Sequence, residues 1–278
     1  MAAPDIPALR ELNVRRLRAG ELFDAAGALF RERWRTLILI VAVVHLPLAA
    51  LVARVPQGAP DDYGALFIEM LAGVATSLVA LIAATACALL AADRVACETP
   101  SAGNLLGRAA GLWPGLMLTA LVGGFIVFAL LLCLVVPGVI FAVRYTFILQ
   151  AVALRGRRLG AALSYSASLV ERRWWRTAGI SFLAFVPALT LAVILTIPAA
   201  LFRDSLGLSL GSAFLSGLAK AFSYMMLTLF FLNEEAMQVR DVGATAAERL
   251  SRPPAWGGTP AGAAGSGGTD NPGPIYPP

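Results

Sequence analysis

The chain has 278 residues, of which 58% are hydrophobic and only 14% are charged, and its mean hydropathy is +0.75. A soluble domain carries about 25% charged residues, so this composition excludes an ordinary water-exposed globular protein. The net charge of +5 does not indicate nucleic-acid binding, because the basic residues alternate with long apolar runs instead of forming one basic face.

Apolar runs long enough to cross a bilayer follow one another along the chain. A spanning helix needs about 20 mostly apolar residues, and four runs each fit one crossing: 37–54, 65–92, 177–202 and 208–232. The run at 112–154 is about twice as long as one crossing needs. Its central turn signal is Pro137-Gly138, which divides it into spans 112–135 and 138–154. The sequence therefore predicts an all-α integral membrane protein with six transmembrane helices.

Arginine residues predict how these spans are oriented, because positive charge stays on the cytoplasmic side of a membrane. Seven Arg precede the first span, and Arg is also frequent in the second and fourth connections and after the sixth span. The first and fifth connections carry one Arg each, Arg54 and Arg203, beside Asp61, Asp62 and Asp204. We therefore expect a multi-pass protein of the cytoplasmic (inner) membrane with both termini in the cytoplasm.

Two stretches about 140 residues apart resemble each other. When 20–47 is aligned with 160–187, Trp34 falls on Trp174, and each stretch has one Pro inside its apolar run. Between the first Gly and the Trp of each stretch, apolar residues spaced three and four apart lie on one helix face. Each stretch is thus predicted to be an amphipathic helix at the cytoplasmic interface that leads into a transmembrane hairpin.

A shortened third copy begins at Thr99, a predicted N-cap, with Pro100 at the first helical position. Because every copy enters the membrane in the same direction, the three repeats are predicted to be parallel. The alternative is that Arg and Trp recur before each span only because the interface selects them. The predicted organisation comprises a cytoplasmic segment, a membrane domain with three repeats, and a disordered Pro/Gly-rich cytoplasmic tail: 1–19, 20–240 (repeats about 20–92, 99–154 and 158–232) and 241–278.

The region 135–180 contains a Pro-Gly turn, an Arg inside the next span, a helix rich in Ala, Leu and Ser, and an aromatic residue followed by Arg-Thr. The residues are Pro137, Gly138, Arg144, Ala162, Ser166, Trp175, Arg176 and Thr177. This pattern resembles the bacterial six-span membrane proteins related to the membrane domain of glycerophosphoryl diester phosphodiesterase. The resemblance covers about residues 18–240 and implies a six-span fold, but most such proteins lack a known activity. Arg155 departs from the pattern, since the family often has an acidic residue after the fourth span.

Three charged side chains lie inside predicted spans, Glu69, Arg144 and Lys220. Intramembrane charge costs about 2.5–3.5 kcal/mol on insertion scales and usually faces a bundle interior or water, so these three form the candidate polar site. The alternative is snorkelling of the charge to the interface. A stripe of small and hydroxyl residues beside Lys220 predicts that its ammonium points into the bundle, to meet Glu69 or a wet cavity. The opposite side, from Phe214 to Met226, is expected to face lipid.

Residues suited to catalysis are scarce. The only His, His45, lies inside the first span and is interpreted as a packed residue rather than a base. Cys87, Cys97 and Cys133 lack the spacing of a metal site or a disulfide framework. We therefore expect no enzyme activity, no metal and no cofactor.

Two functions remain open at this stage. The first is a non-catalytic scaffold or lipid-responsive module whose partners are the anionic headgroups of the bilayer. The alternative is a transporter or permeability factor for a small or anionic solute. A protein partner or an oligomer is compatible with either function, and nucleic acid is not an expected partner.

Overall fold

A computed structural model describes residues 6, 9, 11–54, 63–171, 173–201 and 206–251. These residues contain helices and no strand, and the helices are α1 (Ala19–Glu32), α2 (Trp34–Val52), α3 (Tyr63–Val95), α4 (Ala102–Cys133), α5 (Val135–Arg144), α6 (Ile148–Arg155), α7 (Gly160–Val170), α8 (Trp174–Leu201) and α9 (Leu206–Ser251). Six stretches are long and apolar enough to cross a membrane: Trp34–Val52, Tyr63–Val95, Ala102–Cys133, Val135–Arg155, Trp174–Leu195 and Gly207–Gly243. The predicted helical class and the six spans are confirmed.

The break between the third and fourth spans lies three residues before the predicted turn. Leu134 has extended backbone, with φ −155° and ψ 121°, and separates α4 from α5. Pro137 and Gly138 lie in the first turn of α5, so the prediction of a turn at these two residues is wrong. Proline is tolerated there because first-turn N–H groups have no intrahelical acceptor. A Cβ on Gly138 would lie 2.5 Å from Leu131 Cγ, so this Gly lets α5 pack against α4.

The sequence predicts a single helix for the fourth span, but the structure has two helices there, α5 and α6. Residues Tyr145–Phe147 interrupt it, and Ser166 of α7 bridges the interruption. The Ser166 hydroxyl donates a hydrogen bond to the carbonyl of Arg144 (2.7 Å) and accepts one from the backbone N–H of Phe147 (3.2 Å). Non-helical backbone at membrane depth requires such partners, because lipid offers none.

Two of the three predicted interfacial helices are separate helices. They are α1, which ends before Arg33, and α7, which ends before the turn at Glu171. The third is not separate, because α4 continues through Pro114 into the span without a break. Its N-cap is Ser101 and not Thr99, since the Ser101 hydroxyl accepts from the backbone N–H of Asn104 at 3.3 Å. The organisation as three parallel repeats therefore remains a prediction.

Helix α9 is packed on more sides than its sequence predicts. The expectation that its Phe214-to-Met226 side faces lipid is wrong at the C-terminal end of that side, because Met225 and Met226 are fully buried. The neighbouring Phe222 ring makes an edge contact with the Phe23 ring of α1, with centroids 5.0 Å apart. The apolar face of α1 thus covers a surface that the sequence assigns to lipid.

Residues Met1–Val239 form one compact unit, and 240–278 form a second. In the second unit α9 continues to Ser251, so the predicted disordered tail is wrong for 241–251. Six of the eleven residues of 241–251 are Ala, Glu, Arg or Leu, which are good helix formers. The remainder of the predicted tail, 252–278, lies outside the described residues.

Candidate functional site

A cavity of about 130 Å³ lies between α2, α3 and α9, and Lys220 lines it. We call it the lysine cavity. Its other polar side chains are His45 of α2, Ser77 of α3 and Tyr224 of α9, and the rest of its wall is apolar: Val41, Ala80, Leu81, Ala83, Ala84, Cys87, Gly217 and Ala221. One water molecule needs roughly 10–15 Å³ of such space, so the cavity has room for several waters or for a small anion.

Gly217 brings α9 close to α2 at this cavity. A Cβ on Gly217 would lie 2.7 Å from Val41 Cγ1 and 3.0 Å from the His45 ring, so no larger residue fits without a shift of the helices. Lys220 follows Gly217 by three residues and therefore lies on the same side of α9. The close helix contact thus places His45 and Lys220 in the wall of one cavity.

Two hydrogen-bond donors in the lysine cavity are available to a ligand. Throughout the described part of the chain, neither the Lys220 ammonium nor the Tyr224 hydroxyl has a hydrogen-bond or ion-pair partner. The Ser77 hydroxyl already donates to the Gly73 carbonyl at 2.9 Å. An ammonium and a phenol are both donors to an anion, so the cavity is chemically suited to a negatively charged group.

A second cavity, of about 240 Å³, adjoins the first at His45, which lines both. We call it the hydroxyl cavity because its other polar residues are Thr76, Ser209 and Ser212. Its wall extends to Val52 and Ala53 at the end of α2, and Ser209 lies near the start of α9. The two cavities therefore follow one another from the ends of these helices to Lys220.

The structure does not bring the three predicted charges together. Glu69 is exposed on α3 and forms no ion pair with Lys220 in the described regions. The cavity begins on α3 at Ser77, eight residues further on, or about 12 Å at helical rise. Arg144 pairs with Glu171 instead, with 3.7 Å between Nη2 and Oε1. Lys220 lines the cavity and is itself exposed, and it makes no ion pair with Glu69 among the described residues, so the orientation of its ammonium into the bundle stays a prediction.

His45 and Tyr224 are site residues that the sequence analysis did not assign. From the sequence, His45 is interpreted as a packed residue, and Tyr224 is one of the hydroxyl residues in the stripe beside Lys220. The cavity joins α2 to α9, which are more than 150 residues apart in the chain. No local spacing links them, because their contact depends on the packing at Gly217.

A second polar cluster lies on three consecutive residues of α9. Glu234 is only 5% exposed and pairs with Arg176 and with Arg173, the latter at 3.5 Å. Glu235 pairs with Arg155 and accepts a hydrogen bond from the Tyr165 hydroxyl. Partial burial, with this hydrogen bond, raises the pKa of Tyr165 to about 12.

The acidic partner of Arg155 thus comes from the sixth span. Asn233 completes the cluster by binding the backbone of the N-terminal segment. The contacts of this cluster tie the helices together. Within the regions described, no group of three His, Cys, Asp or Glu is placed to hold a metal ion. The three Cys are free, with Cys87 buried.

A family model described as a domain of unknown function (DUF7847) matches residues 94–234, just over half of the chain. No curated protein and no solved structure matches the chain. The matched region includes Lys220 and Tyr224 of the lysine cavity, whereas His45 and Ser77 precede it.

Proposed function

The chain belongs to the family of the domain of unknown function DUF7847, and from the lysine cavity we propose that it is a non-catalytic membrane protein that binds a small anionic solute. One observation carries the proposal: Lys220 lines a cavity and has no carboxylate partner among the described residues. A charge inside a span is costly unless water or a counter-ion solvates it. A bound anion supplies that counter-charge, and the Tyr224 hydroxyl supplies a second donor.

The proposal includes movement of the solute, as in a transporter or permeability factor. The hydroxyl cavity supports a path for the solute, because it leads from His45 to the C-terminal end of α2 and the N-terminal end of α9. By the distribution of Arg, these ends face the outside of the cell. A solute would then enter from outside and reach Lys220 past Ser209, Ser212 and Thr76.

The competing proposal, a lipid-responsive module, depends on amphipathic helices that are free to lie on the bilayer. The inner face of α7 is packed against the rest of the protein, since Ala162, Ser166 and Val170 are fully buried. The same holds for α1, in which Leu22 and Leu29 are fully buried. This burial favours solute binding over lipid sensing as the proposed function.

Descent from three parallel repeats, and a relation to the glycerophosphoryl diester phosphodiesterase membrane domain, remain proposals about origin. The separate helices α1 and α7, each of which precedes a span at a Trp, support the repeats. The continuous helix α4 is the weakest of the three copies.

The test is binding of small anions to the protein in nanodiscs of uncharged phosphatidylcholine. Chloride, acetate and phosphate are titrated by calorimetry into wild type, Lys220→Met and Lys220→Arg. We expect wild type to bind at least one anion, Lys220→Met to bind it at least tenfold more weakly, and Lys220→Arg to keep most of the affinity. Equal affinity in wild type and Lys220→Met, or no binding of any of the three by wild type, would refute the proposal.

A further inference from the structure

An apolar groove borders the lysine cavity. The groove has a volume of about 470 Å³ and is formed by residues of α3, α4, α5, α6, α8 and α9 with the α5–α6 interruption. None of its lining residues is charged. Leu81 and Tyr224 line the groove and the lysine cavity alike, so these two side chains form the boundary between the two spaces.

The change from polar to apolar follows the helix geometry. On α9, Lys220 lines only the cavity, Tyr224 lines both spaces, and Leu227 lines only the groove. These residues are four and three positions apart, so they lie on one face of the helix. On α3, Ser77 lines only the cavity, whereas Leu81 lines both. On α3, Ala84 and Cys87 beyond Leu81 again line only the cavity, so Leu81 and Tyr224 mark where the two spaces meet.

The groove is open where a ligand chain would lie. Gly124 of α4 lines it, and no atom lies within 4 Å of the position that a Cβ would take there. The Tyr224 ring makes an edge contact with Phe185, which also lines the groove, with centroids 6.2 Å apart. Tyr224 therefore has its ring beside an apolar surface and also borders the cavity that Lys220 lines.

We propose that the ligand is an anionic lipid with a single acyl chain, whose head binds at Lys220 and whose chain lies in the apolar groove. This inference rests on the anion site of the proposed function and names a class of ligand that reaches Lys220 from the bilayer instead of through the hydroxyl cavity. Charge complementarity fixes the orientation of the lipid. Lys220 lines the lysine cavity, and the groove has no charged lining residue, so the anionic head belongs in the cavity and the chain in the groove. The chain enters from the bilayer, and only the head needs to leave the interface.

The experiment compares two photoreactive probes in phosphatidylcholine nanodiscs that contain the full chain. One is a C16 fatty acid with a diazirine in its chain, and the other is the matching C16 alcohol, which has the same chain without the charge. After illumination, labelled peptides are mapped by mass spectrometry. We expect the acid to label the 116–131 region of α4 at least fivefold more than the alcohol, which reports the bilayer background.

Three variants make the test specific. Lys220→Met should abolish the preference for the acid. Gly124→Leu should reduce it at least fivefold, because the added side chain fills the open groove. Gly111→Leu is the matched control on the same helix, since Gly111 is equally open and lies outside the groove, and it should label like wild type.

Each outcome decides between the two proposals. Equal labelling by acid and alcohol, with acetate binding that still depends on Lys220, overturns the lipid inference and leaves the proposed function intact. Equal labelling together with the absence of any Lys220-dependent anion binding overturns both. Competition by a diacyl anionic phospholipid as strong as by unlabelled palmitate overturns the single-chain assignment.

Discussion

Asn233 is a single buried side chain that holds a distant segment of the chain in place. Its Oδ1 accepts from the backbone N–H of Leu17 at 3.1 Å, and its Nδ2 donates to the carbonyls of Leu12 and Arg15 at 2.7 and 2.8 Å. Leu12 and Leu17 are both about 1% exposed. One amide therefore satisfies three backbone groups of the segment that precedes α1.

Replacing Asn233 with Ala should destabilise the protein by about 2–5 kcal/mol, because two buried backbone groups and one partly buried carbonyl lose their hydrogen-bond partner. Thermal unfolding in micelles measures the loss, and limited proteolysis should show faster cleavage within residues 12–18. The control is Asn104→Ala, which removes an exposed Asn side chain from α4 and should stay within about 0.5 kcal/mol of wild type. Equal stability of Asn233→Ala and Asn104→Ala would contradict this role.

Glu21 makes the same segment sensitive to acid. Hydrogen bonds from the Arg15 guanidinium, at 2.8 and 3.0 Å, and then one from the Arg18 backbone N–H, lower the pKa of Glu21 to about 2. Because the folded-state pKa is lowered, the contribution to stability is present above the ordinary Glu value of about 4.3. It is lost as the pH falls from there towards 2.

The apparent melting temperature of wild type should therefore fall more steeply between about pH 4.3 and 2 than that of Glu21→Gln. The variant lacks the titrating group, so the difference between the two curves isolates Glu21. Since this carboxylate is exposed to solvent, added salt should reduce the difference. Parallel curves at low salt would show that the Arg15–Glu21 pair has no effect on stability.

At the scale of the helical elements, the interrupted fourth span depends on its neighbour α7. Ser166 is fully buried and bridges the carbonyl of Arg144 to the N–H of Phe147. The interruption also places Tyr145 and Thr146 in the wall of the apolar groove. The hydroxyl thus connects the packing of α7 to the shape of the proposed lipid site.

Ser166→Ala should lower the stability by about 1–3 kcal/mol, since a buried N–H and a partly buried carbonyl lose their shared partner. Ser168→Ala is the matched control, because the exposed Ser168 hydroxyl donates only to Tyr165 within α7. Thermal unfolding of both variants in the same micelles gives the comparison. Loss of stability in Ser168→Ala as large as in Ser166→Ala would assign the effect to α7 itself rather than to the bridge.

At the scale of the whole molecule, six crossings and the Arg distribution predict that both termini lie in the cytoplasm. After Arg252, a reporter that works only in the cytoplasm should be active. At Asp61, a reporter that works only outside the cytoplasm should be active. Alkaline phosphatase and green fluorescent protein, fused at both positions, give complementary readings. A C-terminal fusion that reads as external would contradict the orientation and the direction of the proposed solute path.

The sequence by itself determined the number of spans and the helical class. Each span must satisfy its own backbone hydrogen bonds in lipid, so hydropathy summed over about 20 residues is sufficient evidence. The sequence was less reliable at helix ends, where it placed a turn at Pro137 instead of Leu134. Whether a proline begins a helix or a loop depends on backbone and packing around it, here on the contact of Gly138 with Leu131.

Only the tertiary structure decided which side chains meet. Arg155 pairs with Glu235, which is 80 residues further along the chain. Lys220 lines a cavity together with His45 and does not pair with Glu69 in the described regions. Polar contacts in a bundle follow from which helix faces approach most closely. That approach is made possible by small residues such as Gly217. The stripe of small residues predicts a close contact on this side of α9, but it does not predict that α2 is the partner. The charge of Lys220 was visible in the sequence, but its surroundings were set by the packing of α2, α3 and α9.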